Sequence, residues 1–145
     1  MSESNIGNIT LERVREVFEF FEDWEEKYKY LMDLGKKLPP LPDEDKVEEN
    51  RVQGCQSTVW LTFEPGDSPG QINFKADSDA FIVKGLIALL LLLYSGKSAE
   101  EICSFDPQPL FQELGLDQHL SPTRKNGLNS MIERIRSIGK SASAA

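Results

Sequence analysis

Val59-Trp60-Leu61-Thr62-Phe63-Glu64, the punctuated stretch Pro65-Gly66-Asp67-Ser68-Pro69-Gly70, and then Gln71-Ile72-Asn73-Phe74-Lys75-Ala76 decide the fold. Val59, Leu61 and Phe63 alternate with Trp60, Thr62 and Glu64, while Ile72, Phe74 and Ala76 alternate with Gln71, Asn73 and Lys75. Successive side chains of a strand point to opposite faces, so each segment reads as a half-buried strand. With Pro and Gly between them, the pair predicts a β-hairpin over 58–76. Downstream, Asp77-Ser78-Asp79 offers N-cap residues to a helix over Ala80–Tyr94 that Gly96 stops. Its Leu89–Leu93 run is apolar on every side, which predicts a central buried helix.

Upstream of the hairpin, Leu11, Val14, Val17, Phe18 and Phe21 have the spacing of an amphipathic helix. Asp23 with Glu26 resembles a capping box, opening a second helix through Trp24, Tyr28, Leu31 and Leu34 with Gly35 expected as its cap. Leu38-Pro39-Pro40-Leu41-Pro42 lacks the N–H groups for a helix and predicts an extended strap. The acidic stretch Asp43 to Asn50 comes next, with a short edge strand expected near its end. Past the central helix, Ser98 with Glu101 forms a capping box, and a short helix is expected over 109–114. Ser121-Pro122 opens a last amphipathic helix carrying Leu128, Met131, Ile132, Ile135 and Ile138. Residues 1–9 and the tail from Lys140 are expected to fray, leaving about 10–139 ordered. Two helices, a hairpin and several more helices predict an α+β fold: one domain over 1–145, with helices flanking a small antiparallel sheet.

The chain has 145 residues and a formal charge of −8, with 16 Lys+Arg against 24 Asp+Glu. Residues 1–50 hold 14 acidic and 7 basic side chains, a poor surface for phosphate backbones, so no nucleic-acid partner is expected. That acidity suits either a solvated helix face or steering toward a basic protein. Two Cys and one His cannot fill the four-ligand sets of structural zinc or a cluster held by four thiolates, so no metal or resident cofactor is expected. Two Cys also make no disulfide framework, and Met1-Ser2-Glu3-Ser4 does not open a basic-then-apolar leader, which points to the cytoplasm. The longest apolar run, 85–94, is about half the ~20 residues of a membrane span, so no membrane is expected as a partner.

The two cysteines differ. Cys103 stands near Ile102 and Phe105 in a short helix and reads as a small packed hydrophobe. Cys55 stands in Arg51-Val52-Gln53-Gly54-Cys55-Gln56-Ser57-Thr58, with no apolar pocket in its own flanks, so it is expected on a loop. An Arg near such a thiol favours the nucleophilic thiolate, although Arg51 is four positions away. These residues alone leave Cys55 open between a working thiol and a surface cysteine without a role. His119, beside a helix N-cap, reads first as a hydrogen-bonded structural residue. A peroxidase or zinc hydrolase would need a resolving Cys or third ligand that nothing in the spacing supplies.

Separated motifs nevertheless fall into a known order. Arg51-Val-Gln-Gly-Cys55-Gln-Ser-Thr-Val-Trp60 resembles the signature of the SufE family of sulfur-acceptor proteins in iron–sulfur cluster assembly. Trp24-Glu-Glu-Lys-Tyr28 with Leu34-Gly35, Asp77-Ser-Asp-Ala80 with Val83-Lys-Gly-Leu86, and His119-Leu-Ser-Pro-Thr-Arg124 with Gly127-Leu128 extend the resemblance over about 10–139. The motifs fit SufE and its close relative CsdE alike. The resemblance implies a non-enzymatic accessory protein that takes persulfide sulfur from a SufS-type, pyridoxal-phosphate cysteine desulfurase, stimulates it, and passes sulfur toward an iron–sulfur scaffold. It implies an α+β fold like that of IscU-type scaffolds, whose three cluster-binding cysteines this chain lacks. It makes Cys55 the acceptor and puts Arg124 near the acceptor loop, as a stabiliser of thiolate or persulfide or as a docking residue. Gly54 is the expected hinge, and Arg51, Gln56, Asp79 and His119 are supporting positions. The alternative is an adaptor that binds the desulfurase without covalent sulfur.

Overall fold

The central helix α3 (Phe81–Tyr94) is buried along nearly its whole length, as its all-apolar Leu89–Leu93 run requires. The computed structural model describes residues 10–144 other than 40, 55, 56 and 67. α1 (Leu11–Phe20) and α2 (Trp24–Lys36) precede two 3₁₀ turns, Asp43–Asp45 and Glu48–Asn50. β1 (Val59–Pro65) and β2 (Gln71–Ser78) form the antiparallel hairpin, with Val59 opposite Ser78 and Phe63 opposite Phe74. After α3 come β3 (Lys97–Ser98), α4 (Ala99–Ser104), α5 (Gln108–Leu114), α6 (Leu116–His119) and the long α7 (Pro122–Ala144). The sheet order is β1-β2-β3, all antiparallel, and the architecture is α+β. One hydrophobic cluster runs from Val14 on α1 through Leu31, Phe74 and Leu89 to Ile135 on α7.

α2 packs on α3 through two glycines. A Cβ on Gly35 would stand 2.6 Å from the Gly85 nitrogen, and one on Gly85 would collide with the Leu31 carbonyl. Gly35 is therefore inside α2, where the backbones nearly touch, and not the left-handed cap expected from sequence. The expected edge strand before the hairpin is reduced to one antiparallel bridge, Arg51 to Trp60. The sheet's third strand is instead the two-residue β3, paired with Gln71 and Ile72.

Asp77-Ser78-Asp79 does not cap α3. The N-cap is Ala80, without a side-chain hydrogen bond, and β2 continues through Ser78. Thr10, Asp23, Ser98 and Ser121 do cap, each side chain accepting the N–H of the third residue of its helix. α7 continues as helix through Ala144, past the Lys140 where fraying was expected, while residues 1–9 lie outside the described residues.

Candidate functional site

A backbone pair closes the neck of the loop over 53–58. Val52 N–H donates to the Val59 carbonyl at 2.8 Å, beside the Arg51–Trp60 bridge. Cys55 and Gln56 belong to this loop by position and lie outside the described residues; Gly54 and Ser57 bracket them.

Both flanks of the loop are fixed. On the downstream side, Ser78 Oγ donates to the Thr58 carbonyl at 2.7 Å, and Thr58 N–H donates to Asp79 Oδ1 at 3.2 Å. Asp79 N–H returns to the Thr58 carbonyl at 3.4 Å. The polar residues expected to cap α3 thus latch the start of β1, because Thr58 comes within reach when the hairpin closes. Upstream, Gly54 has φ +87°, and a Cβ there would lie 2.5 Å from Ser130 Oγ. Left-handed backbone and close approach both call for glycine. The residue expected to be a hinge is seated against α7.

Beside Ser57 opens a cavity of about 220 Å³ between β1, α3 and the start of α7. Val59, Val83, Leu86, Leu128 and Met131 give it apolar walls, while Ser57, Ser121, Thr123 and Arg124 supply polar groups. It is smaller than the ~300–1,000 Å³ of ordinary ligand pockets, so it suits the tip of one side chain better than a cofactor. Its lining takes Val83 from the first turn of α3 and Thr123 and Arg124 from the first turn of α7, the end at which a helix dipole is positive.

The other positions marked in the sequence are elsewhere. His119 stacks on Trp24, with centroids 4.0 Å apart and planes at 16°, and its Nδ1 lies 3.0 Å from the Gly115 carbonyl. Its own carbonyl accepts the Tyr28 hydroxyl, so it joins α2 to α6 and is not among the cavity residues. Arg51 pairs with Glu48 at 3.9 Å, also outside the cavity lining. Cys103 is half-buried between α4 and α7, its Sγ 3.9 Å from the Arg136 carbonyl.

Sequence reasoning missed Ser57, Ser121 and Thr123 as lining residues and read Met131 only as core. It also missed the ion pairs of Asp77 with Lys46 at 3.5 Å and Lys84 at 3.4 Å, which tie the 3₁₀ strap and α3 to β2. The local sequence carries no trace of them, since Asp77 reads there as a helix-cap residue beyond the end of the strand. Among the described residues, no three His, Cys, Asp or Glu side chains gather as a metal site, and no helix is long and apolar enough to cross a membrane.

A family model described as "SufE: Fe-S metabolism associated domain" matches residues 12–138. The chain belongs to the SufE family. An uncharacterized SufE-like protein of Rhizobium etli is 46% identical over 138 residues, spanning 94% of this chain and 93% of its own. Another, from Rhizobium meliloti, is 45% identical over 130 residues, spanning 88% and 93%. The solution structure of a hypothetical protein from Thermus thermophilus superposes with a TM-score of 0.72 at 24% identity, covering 93% of this chain and 96% of that one. At that identity the likeness speaks for the fold alone. Membership in the SufE family associates the chain with iron–sulfur metabolism.

Proposed function

We propose that this SufE-family chain accepts persulfide sulfur on Cys55 from a SufS-type cysteine desulfurase, raises that enzyme's turnover, and hands the sulfur on for iron–sulfur cluster assembly. The observation that carries the reading is the small cavity shared by Ser57 and Arg124, next in the chain to a loop closed at its neck by Val52 and Val59. In the transfer, the Cys55 thiolate attacks the outer sulfur of the donor's Cys–S–SH. A new S–S bond forms to Cys55 Sγ, the donor's S–S bond breaks, and the donor cysteine leaves as a thiolate. The product, Cys55–S–SH, keeps the proton of the transferred sulfur. No outside oxidant or reductant is needed, since the sulfane sulfur only changes partner. The pyridoxal phosphate that frees sulfur from cysteine belongs to the desulfurase.

A Cys55 sulfur seated in the cavity would have Arg124 and the helix starts to favour its anionic form, and apolar walls to limit access of water and oxidants to the labile persulfide. A desulfurase assay with Cys55→Ser tests the reading. Stimulation of sulfide or alanine production is expected to vanish, while Cys103→Ser retains it. Mass spectrometry of the loaded protein is expected to give about +32 Da, one sulfur atom, on Cys55. Stimulation that survives in Cys55→Ser, without that adduct in the wild type, would mean a non-covalent adaptor instead.

A further inference from the structure

Leu128 lines two cavities: the one shared by Ser57 and Arg124, and a second of about 160 Å³ between α5, α6 and α7. In the second, Phe111 joins Leu128 as apolar wall, and both are buried. The polar lining comes from all three helices: Gln108 from α5, Asp117 from α6, Lys125 and Asn129 from α7. Lys125, Leu128 and Asn129 stand at i, i+3 and i+4, so one face of α7 presents them together.

Two of these groups carry charge that the fold does not use. Asp117 is half-buried, and its Oδ1 is buried without a hydrogen-bond donor among the described residues. Neighbouring acids are served: Asp106 Oδ1 accepts the Gln108 N–H at 3.0 Å, and Glu113 pairs with Arg15 at 3.0 Å. A buried carboxylate oxygen without a donor is costly, and native structures leave few of them. Lys125 is exposed and, among the described residues, forms no ion pair with Asp117 or any other acid. An anion alone in this cavity meets Asp117, and a cation alone meets Lys125. A molecule bearing both charges meets each with its opposite. At about 30 Å³ per water, 160 Å³ holds about five water-sized groups, room for glycine, alanine or cysteine and not for an aromatic amino acid.

We propose that this second cavity binds a small zwitterionic amino acid, with its ammonium on Asp117 and its carboxylate on Lys125. The amides of Gln108 and Asn129 supply further donors and acceptors, and Phe111 and Leu128 receive the short side chain. The site does not depend on the acceptor reading. Only the choice between L-alanine and L-cysteine as occupant rests on it, since the proposed desulfurase consumes one and releases the other.

The experiment follows amide resonances of the isotopically labelled full chain during titration with L-alanine, and separately with L-cysteine under reductant. Saturable shifts are expected at residues 116–117 and 125–129, with a dissociation constant on the order of 1 mM. Alaninamide lacks the carboxylate and N-acetylalanine lacks the ammonium, and each is expected to bind about tenfold more weakly. Asp117→Asn and Lys125→Met, checked for folding by circular dichroism, should each weaken L-alanine about tenfold as well. L-tryptophan should give no saturable shift. A urea midpoint supplies a second readout. Without amino acid, Asp117→Asn should be no less stable than wild type, because it discharges an oxygen that has no donor, and added L-alanine should raise the wild-type midpoint alone.

Failure of both amino acids to shift these resonances overturns the proposal. So does equal binding of L-alanine to both variants, or of N-acetylalanine and L-alanine to wild type. A lower urea midpoint for unliganded Asp117→Asn would show that the carboxylate serves the fold and overturns it too. Loss of the sulfur adduct on Cys55 would sink the acceptor reading and leave these outcomes to decide the site.

Discussion

Asp77, its side chain only 10% exposed, takes Lys46 Nζ on one carboxylate oxygen and Lys84 Nζ on the other, and the second oxygen also accepts the Ser78 N–H at 2.8 Å. Lys46 comes from the strap before the loop and packs over the Trp60 ring at 5.6 Å, while Lys84 comes from α3. One side chain therefore joins three parts of the fold. Asp77→Asn keeps the shape and removes the charge, leaving two ammonium groups close together. Both lysines are about 30% exposed, so water softens the loss. The expected cost is about 2 kcal/mol, below that of a fully buried pair. It is read as a lower urea midpoint at unchanged slope. A midpoint equal to wild type would show that the lysines are fully served by solvent. Nothing local in the sequence announces this role. Asp77-Ser78-Asp79 has the composition of a helix cap and of a strand latch alike, and only the arrival of Thr58, Lys46 and Lys84 selects the latch.

At the scale of elements, α4 shows how a short helix survives. Six residues are too few to be helical alone. Ser98 Oγ accepts the Glu101 N–H at 3.1 Å, Glu101 Oε1 accepts the Ser98 N–H at 3.0 Å, and Ile102 is buried. The bond from the Ser98 backbone, then that from its side chain, holds the Glu101 carboxyl below the usual glutamate range. A lowered folded-state pKa stabilises above the unfolded value, here 4.5, and that contribution is lost as pH falls through the folded pKa. Amide exchange of 99–104, corrected for its intrinsic pH dependence, should therefore show protection declining below about pH 4.5. Glu101→Gln keeps an acceptor without a titrating group and should flatten that decline; a decline of equal size in the variant refutes the link.

This box was legible because its two members stand three residues apart. The hairpin was legible too, because its period of two is local. β3 was not: Lys97-Ser98 has no period, and it becomes a strand because Gly96 N–H reaches the Ile72 carbonyl at 2.7 Å and lines up the next two residues with β2. Gly35 was misread for a related reason, since its need for smallness comes from Gly85, far along the chain.

Across the whole molecule, one hydrophobic cluster includes residues from every α-helix and from both hairpin strands. Trp24 sits on the helical side against His119, and Trp60 on β1 opposite Asp77. With a shared core, unfolding followed by tryptophan fluorescence and by far-ultraviolet circular dichroism should give coincident urea transitions. Separated midpoints would mean that sheet and helices yield independently. At this scale the candidate site was half legible. Cys55 stood out from its own neighbours, and Arg124 from the family resemblance. The meeting of Ser57 with Arg124 at one cavity depends on where the start of α7 is set in the fold, and no spacing within either segment encodes that.

The Val52–Val59 pair also sets a radius of action. Cys55 stands three residues beyond Val52, the nearer side of the neck. At no more than about 3.6 Å per residue, chain length alone bounds the reach of position 55 to about 10 Å from Val52 while the neck stays zipped. The tether is short. Under the proposed acceptor role, a desulfurase would have to bring its own sulfur to within that arm's length of the surface, or open a mouth wide enough to swallow the edge of the sheet.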